Sequence, residues 1–192
     1  MGYWNRSETE FIINLAGREP AIAYVSTNWA SYVNKLKACQ GFQMNEEWIA
    51  PDGRSEINGQ VSLNPFRFIH LRSKLALSSH DQWKQEKEQL PQFTQVQTPF
   101  RLGPGERETV ISAVQDEPFW AWACTDMMWW MKTLDANQWA VPVREVQYAG
   151  ADDGGSAVQK TYAVPRALLQ IRRSRPQLSD EQRAGLLERL KG

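Results

Sequence analysis

The sequence contains itself twice. Shifted by 98 residues, Glu10 falls on Glu108, Ile13 on Ile111, Glu19-Pro20 on Glu117-Pro118, Ala23 on Ala121, Thr27 on Thr125 and Leu36 on Leu134, seven identities within 27 positions. Conservative pairs fill the intervals: Ile12 with Val110, Tyr24 with Trp122, Asn28 with Asp126, Tyr32 with Trp130 and Val33 with Met131. A shift of 100 then brings Trp48 onto Tyr148, Asp52 onto Asp152, Pro65 onto Pro165 and Phe68-Ile69-His70-Leu71-Arg72 onto Leu168-Leu169-Gln170-Ile171-Arg172, as one two-residue indel in a loop would. An internal offset of this kind constrains the fold more than any composition figure, because each local reading must hold in two places.

The copies run over residues 7–75 and 105–175 and divide the chain into a first repeat (1–76), a linker rich in Gln, Lys, Glu and Pro (77–104), a second repeat (105–175) and a terminal segment (176–192). Glu10–Leu15 and Glu108–Val114 read as strands, each followed by a Glu-Pro turn and a second strand at Ala21–Ser26 or Phe119–Cys124. Asn28 and Asp126 stand at N-cap positions. Apolar residues then recur at helical spacing, Trp29, Tyr32, Val33 and Leu36 in one copy and Met127, Trp130, Met131 and Leu134 in the other. Further strands are expected near Glu47–Ala50 and Gln60–Leu63, with counterparts near Arg144–Tyr148 and Lys160–Val164, and a turn at Asp152-Asp153-Gly154-Gly155. Beyond Pro176, Ser179-Asp180-Glu181-Gln182 forms a capping box ahead of a short terminal helix. The expected fold is α+β: two tandem pseudo-repeats, each a small antiparallel sheet with one packed helix, plus a C-terminal helix.

What the chain lacks narrows its chemistry. The charges balance, 22 basic against 22 acidic residues, so a nucleic-acid role would need a local basic patch. No apolar run approaches the ~18 residues of a membrane span, and Met1–Arg6 lacks a secretion signal's basic and apolar segments, so a cytoplasmic chain without membrane association is expected. Cys39 and Cys124 are too few for a disulfide framework and are expected to be packed thiols; His70 and His80 complete no metal-ligand spacing. There is no phosphate-binding glycine loop and no GxSxG elbow. The recurrent glutamates Glu10, Glu19, Glu108 and Glu117 lie at strand starts and turns with no nucleophile repeated beside them. The chain therefore reads as non-enzymatic, without cofactor or metal.

The remaining anomaly is nine tryptophans. Trp29, Trp48 and Trp130 fall at positions matched between the copies and read as structural. Ala30 and Ser31 of the first copy, by contrast, become Met128 and Trp129 in the second, off the stripe that faces the sheet. Trp120 and Trp122 share one face of a strand, and Trp139 follows the second helix. Either these five residues serve internal packing, or they form a protein-binding surface, since exposed contiguous apolar groups mark interaction sites. Basic residues gather at the repeat ends: Arg67, Arg72 and Lys74, then Arg166, Arg172, Arg173 and Arg175. With neighbouring aromatics they could follow a nucleic-acid backbone and stack unpaired bases, or they could be a solvated edge.

The run Ala23-Tyr24-Val25-Ser26-Thr27, the helix with Asn34-Lys35-Leu36, the stretch from Tyr162-Ala163-Val164-Pro165 to Ile171-Arg172, and the tail Leu178-Ser179-Asp180-Glu181-Gln182-Arg183 resemble a loose group of short phage and prophage proteins. Carrying two units and a Trp-rich second unit departs from that group's pattern. The resemblance implies an accessory protein of a mobile element that acts by binding. The first expectation is an inhibitor that engages a host protein, such as a CRISPR nuclease complex, through the second unit's aromatics. The second is a nucleic-acid-binding accessory of phage DNA metabolism using the repeat-end arginines.

Overall fold

The computed structural model describes residues 9–16, 22–39, 41–62, 69–103, 106–152 and 154–171. In order these form β1 (Glu10–Ala16), β2 (Ile22–Thr27), α1 (Ala30–Lys37), β3 (Phe42–Ile49), β4 (Ser55–Ser62) and β5 (Ile69–Leu71). A 3-10 turn (Leu77–Ser79), α2 (His80–Glu88) and β6 (Thr94–Leu102) follow. The second repeat supplies β7 (Glu108–Val114), β8 (Trp120–Thr125), α3 (Met128–Asp135), β9 (Val141–Ala151), β10 (Val158–Pro165), a 3-10 turn (Arg166–Leu168) and β11 (Leu169–Ile171). The terminal helix expected after Pro176 lies outside the described residues.

The expected pair of small sheets, each with its own helix, is overturned. One mixed sheet of nine strands runs β3-β4-β2-β1-β7-β8-β10-β9-β6, beside a two-stranded ribbon of β11 and β5. All neighbours in the large sheet are antiparallel except β6 and β9. The reason lies in β1 and β7. Each would be an outer strand of an isolated unit, with a row of unpaired N–H and C=O groups. Instead they pair with each other, Ile13 opposite Ile111 and Phe11 opposite Ala113. Because Ile13 and Ile111 are also equivalent positions of the two copies, a pseudo-twofold axis passes between them. It passes again between His70 and Gln170, opposite each other in the ribbon and equivalent under the second offset. Strand order is palindromic about that axis except for β6. Residues 77–104, read as a linker, supply that ninth strand and α2.

The core lies on one face of the sheet, between Phe11, Ile13, Leu15, Val25, Ile57, Val61 and Ile111 on the strands and Val33, Leu36, Trp130 and Leu134 on the helices. The ribbon covers the axis: Ile69, Leu169 and Ile171 meet Ile13 and Ile111. The helix stripes behave as their spacing dictates, with Met128 and Trp129 left 47% and 43% exposed. Trp48, read as structural, is also half-exposed on the outer strand β3.

Asn28 and Asp126 do not cap the helices. The N-caps are Trp29 and Met127, and neither makes a side-chain cap bond. Asn28 Oδ1 instead accepts the backbone N–H of Glu10, and Asp126 Oδ1 that of Glu108, both at 2.8 Å. The hydroxyls of the preceding residues do part of the capping work: Thr27 Oγ1 accepts from the N–H of Trp29 at 3.0 Å and Thr125 Oγ1 from that of Met127 at 3.1 Å. The repeated Thr-Asx pair therefore ties the start of each helix to the hairpin that precedes it. Burial pushes the Asp126 carboxyl up to about 6, against the bond from Glu108 and the charge of Arg107, which lower it.

Candidate ligand cleft beside the pseudo-twofold axis

Pro165 ends β10, and the chain turns at once through Arg166–Leu168 into the ribbon. Proline supplies no N–H, and the next residue's N–H goes to the carbonyl of Phe119 at 2.8 Å, which fixes the Arg166 backbone. Its side chain then reaches across to α1. The guanidinium lies over the Trp29 ring, 4.5 Å from the centroid. Tyr32, one turn along α1, stacks on Phe11 at 4.2 Å and meets Trp29 edge-on at 5.2 Å. Lys35 continues the same helix face, its ammonium 4.9 Å above the Tyr32 ring. Between α1 and the 166–168 turn lies a cleft of about 520 Å³, lined by Tyr32, Lys35, Cys39, Pro118, Arg166 and Gln170 among others.

The electrostatics of this cleft are one-sided. Arg166 Nη1 is buried and has no acceptor. Arg166 also lines the cleft, where an occupant that carries an acceptor can meet its charge. Burial raises the Tyr32 hydroxyl above its ordinary value while Arg166 opposes the shift, so the phenol is neutral near pH 7 and offers its ring and an O–H.

Charge is sorted between the two faces. Around the helices and ribbon, Lys35, Arg72, Lys74 and Lys132 are exposed and, with Arg166, pair with no described carboxylate. Asp135 in this layer is taken by Lys160 at 3.1 Å and by the Tyr162 hydroxyl at 2.8 Å. On the opposite sheet face, strand alternation places Glu10, Glu46, Glu56 and Glu108 against Arg144. Cations without a carboxylate partner thus gather on the helix and ribbon side, and four glutamates on the opposite face.

The axis relates the cleft to a region that is filled. Tyr32 corresponds to Trp130, which is buried, and Cys39 to Asn137, whose amide donates to the carbonyl of Arg72 at 2.9 Å. The chain leaving β5 packs there: Leu75 is buried, the His80 ring lies 4.6 Å from Trp139, and the Trp83 indole donates to the Trp139 carbonyl at 3.0 Å. Of the two positions that the axis relates, the α1 side presents the open cleft.

The residues singled out from sequence scatter accordingly. Met128 and Trp129 project from the start of α3. Trp139 is half-buried beneath α2. Trp120 and Trp122 alternate with core-facing Ala121 and Ala123 and so lie on the opposite sheet face, where residues 86–91 run beside them; Trp120 is buried there, and the half-buried Trp122 indole donates to Glu117 at 2.7 Å. The five do not form one patch. Of the arginines, Arg166 enters the cleft and Arg72 is exposed beside β5; Arg67, Arg172, Arg173 and Arg175 lie outside the described residues. Sequence reasoning assigned Trp29 and Tyr32 to the core stripe and passed over Lys35 and Gln170. The available signal was Lys35 three residues after Tyr32, on the same helix face.

Comparison with known proteins yields no matching family model, no matching curated protein and no matching solved structure. No helix among the described residues is long and apolar enough to cross a membrane.

Proposed function

We propose that the chain is a non-enzymatic binding protein that holds single-stranded nucleic acid along its helix layer. The observation that carries the reading is Arg166: a guanidinium pinned on Trp29, with no carboxylate partner among the described residues, lining a cleft whose other wall is a stacked tyrosine. Lys35 lines the same cleft, and Arg72, Lys74 and Lys132 elsewhere in the layer pair with no described carboxylate. A basic track with accessible ring faces suits a flexible strand, whose phosphates release counterions on binding and whose unpaired bases stack. Catalysis is not part of the proposal, because two of the three recurrent glutamates within the described residues have structural uses: Glu108 accepts from the Asn14 amide at 2.8 Å and Glu117 from Trp122. The test is binding of fluorescein-labelled dT20 at rising salt. Affinity that falls steeply between 50 and 200 mM salt, on the order expected for several phosphate contacts, supports it; no binding at 50 mM removes it.

A second reading has its own observation, the half-exposed Met128 and Trp129 at the start of α3. They fit a protein partner, in keeping with a phage accessory protein that blocks a host nuclease complex, because exposed adjacent apolar groups are typical binding anchors. Trp129→Ala abolishing protection of phage in a host carrying the defence system, while dT20 binding is unchanged, would favour it.

A further inference from the structure

We propose that the cleft between α1 and the 166–168 turn is a single-nucleotide subsite, one per chain, holding a phosphate against Arg166 and an unstacked base against Tyr32. The proposal rests on the nucleic-acid reading above and narrows it to a defined unit of the ligand. The cleft's volume of about 520 Å³ falls within the range of small-ligand sites, about 300–1,000 Å³. Its walls divide by chemistry as a nucleotide does.

Arg166 is held from both ends, by its backbone bond to Phe119 and by the Trp29 ring under its guanidinium. The guanidinium is thereby held at the cleft wall. A phosphate oxygen in the cleft would accept a charge-assisted hydrogen bond from it. The Tyr32 ring stacks on Phe11, meets Trp29 edge-on and carries the Lys35 ammonium 4.9 Å from its centroid. Lys35 is exposed, so its head can move to the phosphate and leave the ring face for a base. Gln170 lines the same space with an amide that no described group bonds, and an amide can meet the donor and acceptor edge of a base. An acidic peptide would satisfy Arg166 but brings no planar ring to Tyr32. The counterpart across the axis has Thr133 where Lys35 stands and a buried Trp130 where Tyr32 stands, which fixes the number of subsites at one.

The test is calorimetric titration of the full chain with thymidine 5′-monophosphate, thymidine and inorganic phosphate, alongside dT20 binding. One mole of the monophosphate should bind per mole of chain, about tenfold or more tighter than thymidine or phosphate alone. Arg166→Met and Tyr32→Leu should each weaken it by about tenfold or more, and Tyr32→Phe should retain it within about twofold. Thr133→Ala should change nothing. Should the buried substitutions fail to fold, Lys35→Glu reads the same site from an exposed position and should also weaken binding by about tenfold. If dT20 binds while the monophosphate does not, and Arg166→Met leaves dT20 affinity unchanged, the subsite is wrong and the strand reading survives. Binding of the monophosphate at one to one without dT20 binding supports the subsite and removes the strand reading. Failure of both overturns both.

Discussion

Ile13 and Ile111 face each other across the β1–β7 pair, both buried to within 1% of their surface, at the point where the pseudo-twofold axis crosses the sheet. The same residue type from each copy meets itself there, so one substitution is felt by both halves. Ile13→Ala or Ile111→Ala should each cost about 2–5 kcal/mol of unfolding free energy. The double variant should depart from additivity by about 0.5 kcal/mol or more, because the side chains are neighbours. Since the sheet is continuous, urea unfolding followed by tryptophan fluorescence and by far-UV circular dichroism should give coincident single transitions. Two separated transitions would mean that the copies fold independently.

Asp126 provides a pH test with an internal control, because the first copy has Asn28 doing the same bond. The carboxyl's folded value of about 6 exceeds its ordinary 3.8, so the folded chain holds more protons than the unfolded chain between those values. Stability from this group is therefore fully present below about pH 4, falls as pH rises toward 6, and is absent above it. Asp126→Asn keeps the acceptor oxygen for the Glu108 N–H and removes the charge. The variant should be more stable than the parent at pH 7.5, with the difference shrinking as pH falls to 4. Urea midpoints at the two pH values check it; a gap independent of pH would contradict it.

Gly59 lies in β4 where the bulge of β3 brings the chains close. A Cβ there would fall 2.6 Å from the Phe42 ring and would also strike the backbone carbonyl of Gln43. Backbone cannot yield as a flexible side chain can. Gly59→Ala should thus cost about 1–3 kcal/mol by overpacking, read from the urea midpoint. A neutral result would mean that β3 can lift away from β4 without loss.

The repeat made the first hairpin and the helix of each copy readable, since Thr27, Asn28 and Leu36 recur as Thr125, Asp126 and Leu134. The fusion of the sheets was not readable. Alternation in β1 says which face of Ile13 is buried and nothing about whether its outer edge is free, and that edge decides between two sheets and one. The role of Asn28 was missed for a related reason: a side chain two residues before a helix reads as a cap locally, while its partner, Glu10, is 18 residues away in sequence. The cleft was legible in part. Arg166 stood out as a basic residue after Pro165, but Trp29 and Tyr32 carry the same helical spacing as core residues. Only the tertiary approach of the 166–168 turn distinguishes them.

Trp83 ties α2 to the region opposite the cleft through the Trp139 carbonyl and an edge-on ring contact at 5.4 Å, and no residue of α2 is itself buried. Trp83→Ala should release α2, seen as faster amide hydrogen exchange across residues 80–88 with little change in global stability. Affinity for dT20 should be unaltered, because the open cleft lies on the other side of the axis. A drop in affinity would place α2 in the binding face.

On the nucleic-acid reading, the helix layer, and not the opposite sheet face, carries the partner. Anisotropy of labelled dT20 at 50 mM salt, measured for Lys35→Glu, Lys132→Glu and Arg144→Glu, tests it most directly. Lys35 and Lys132 lie in the helix layer and Arg144 on the sheet face, and each change alters net charge equally. Lys35→Glu and Lys132→Glu should each weaken binding by about fivefold or more and lower the salt slope by about 0.7, while Arg144→Glu should stay within about twofold of the parent. Equal losses in all three, or a loss confined to Arg144→Glu, would contradict it.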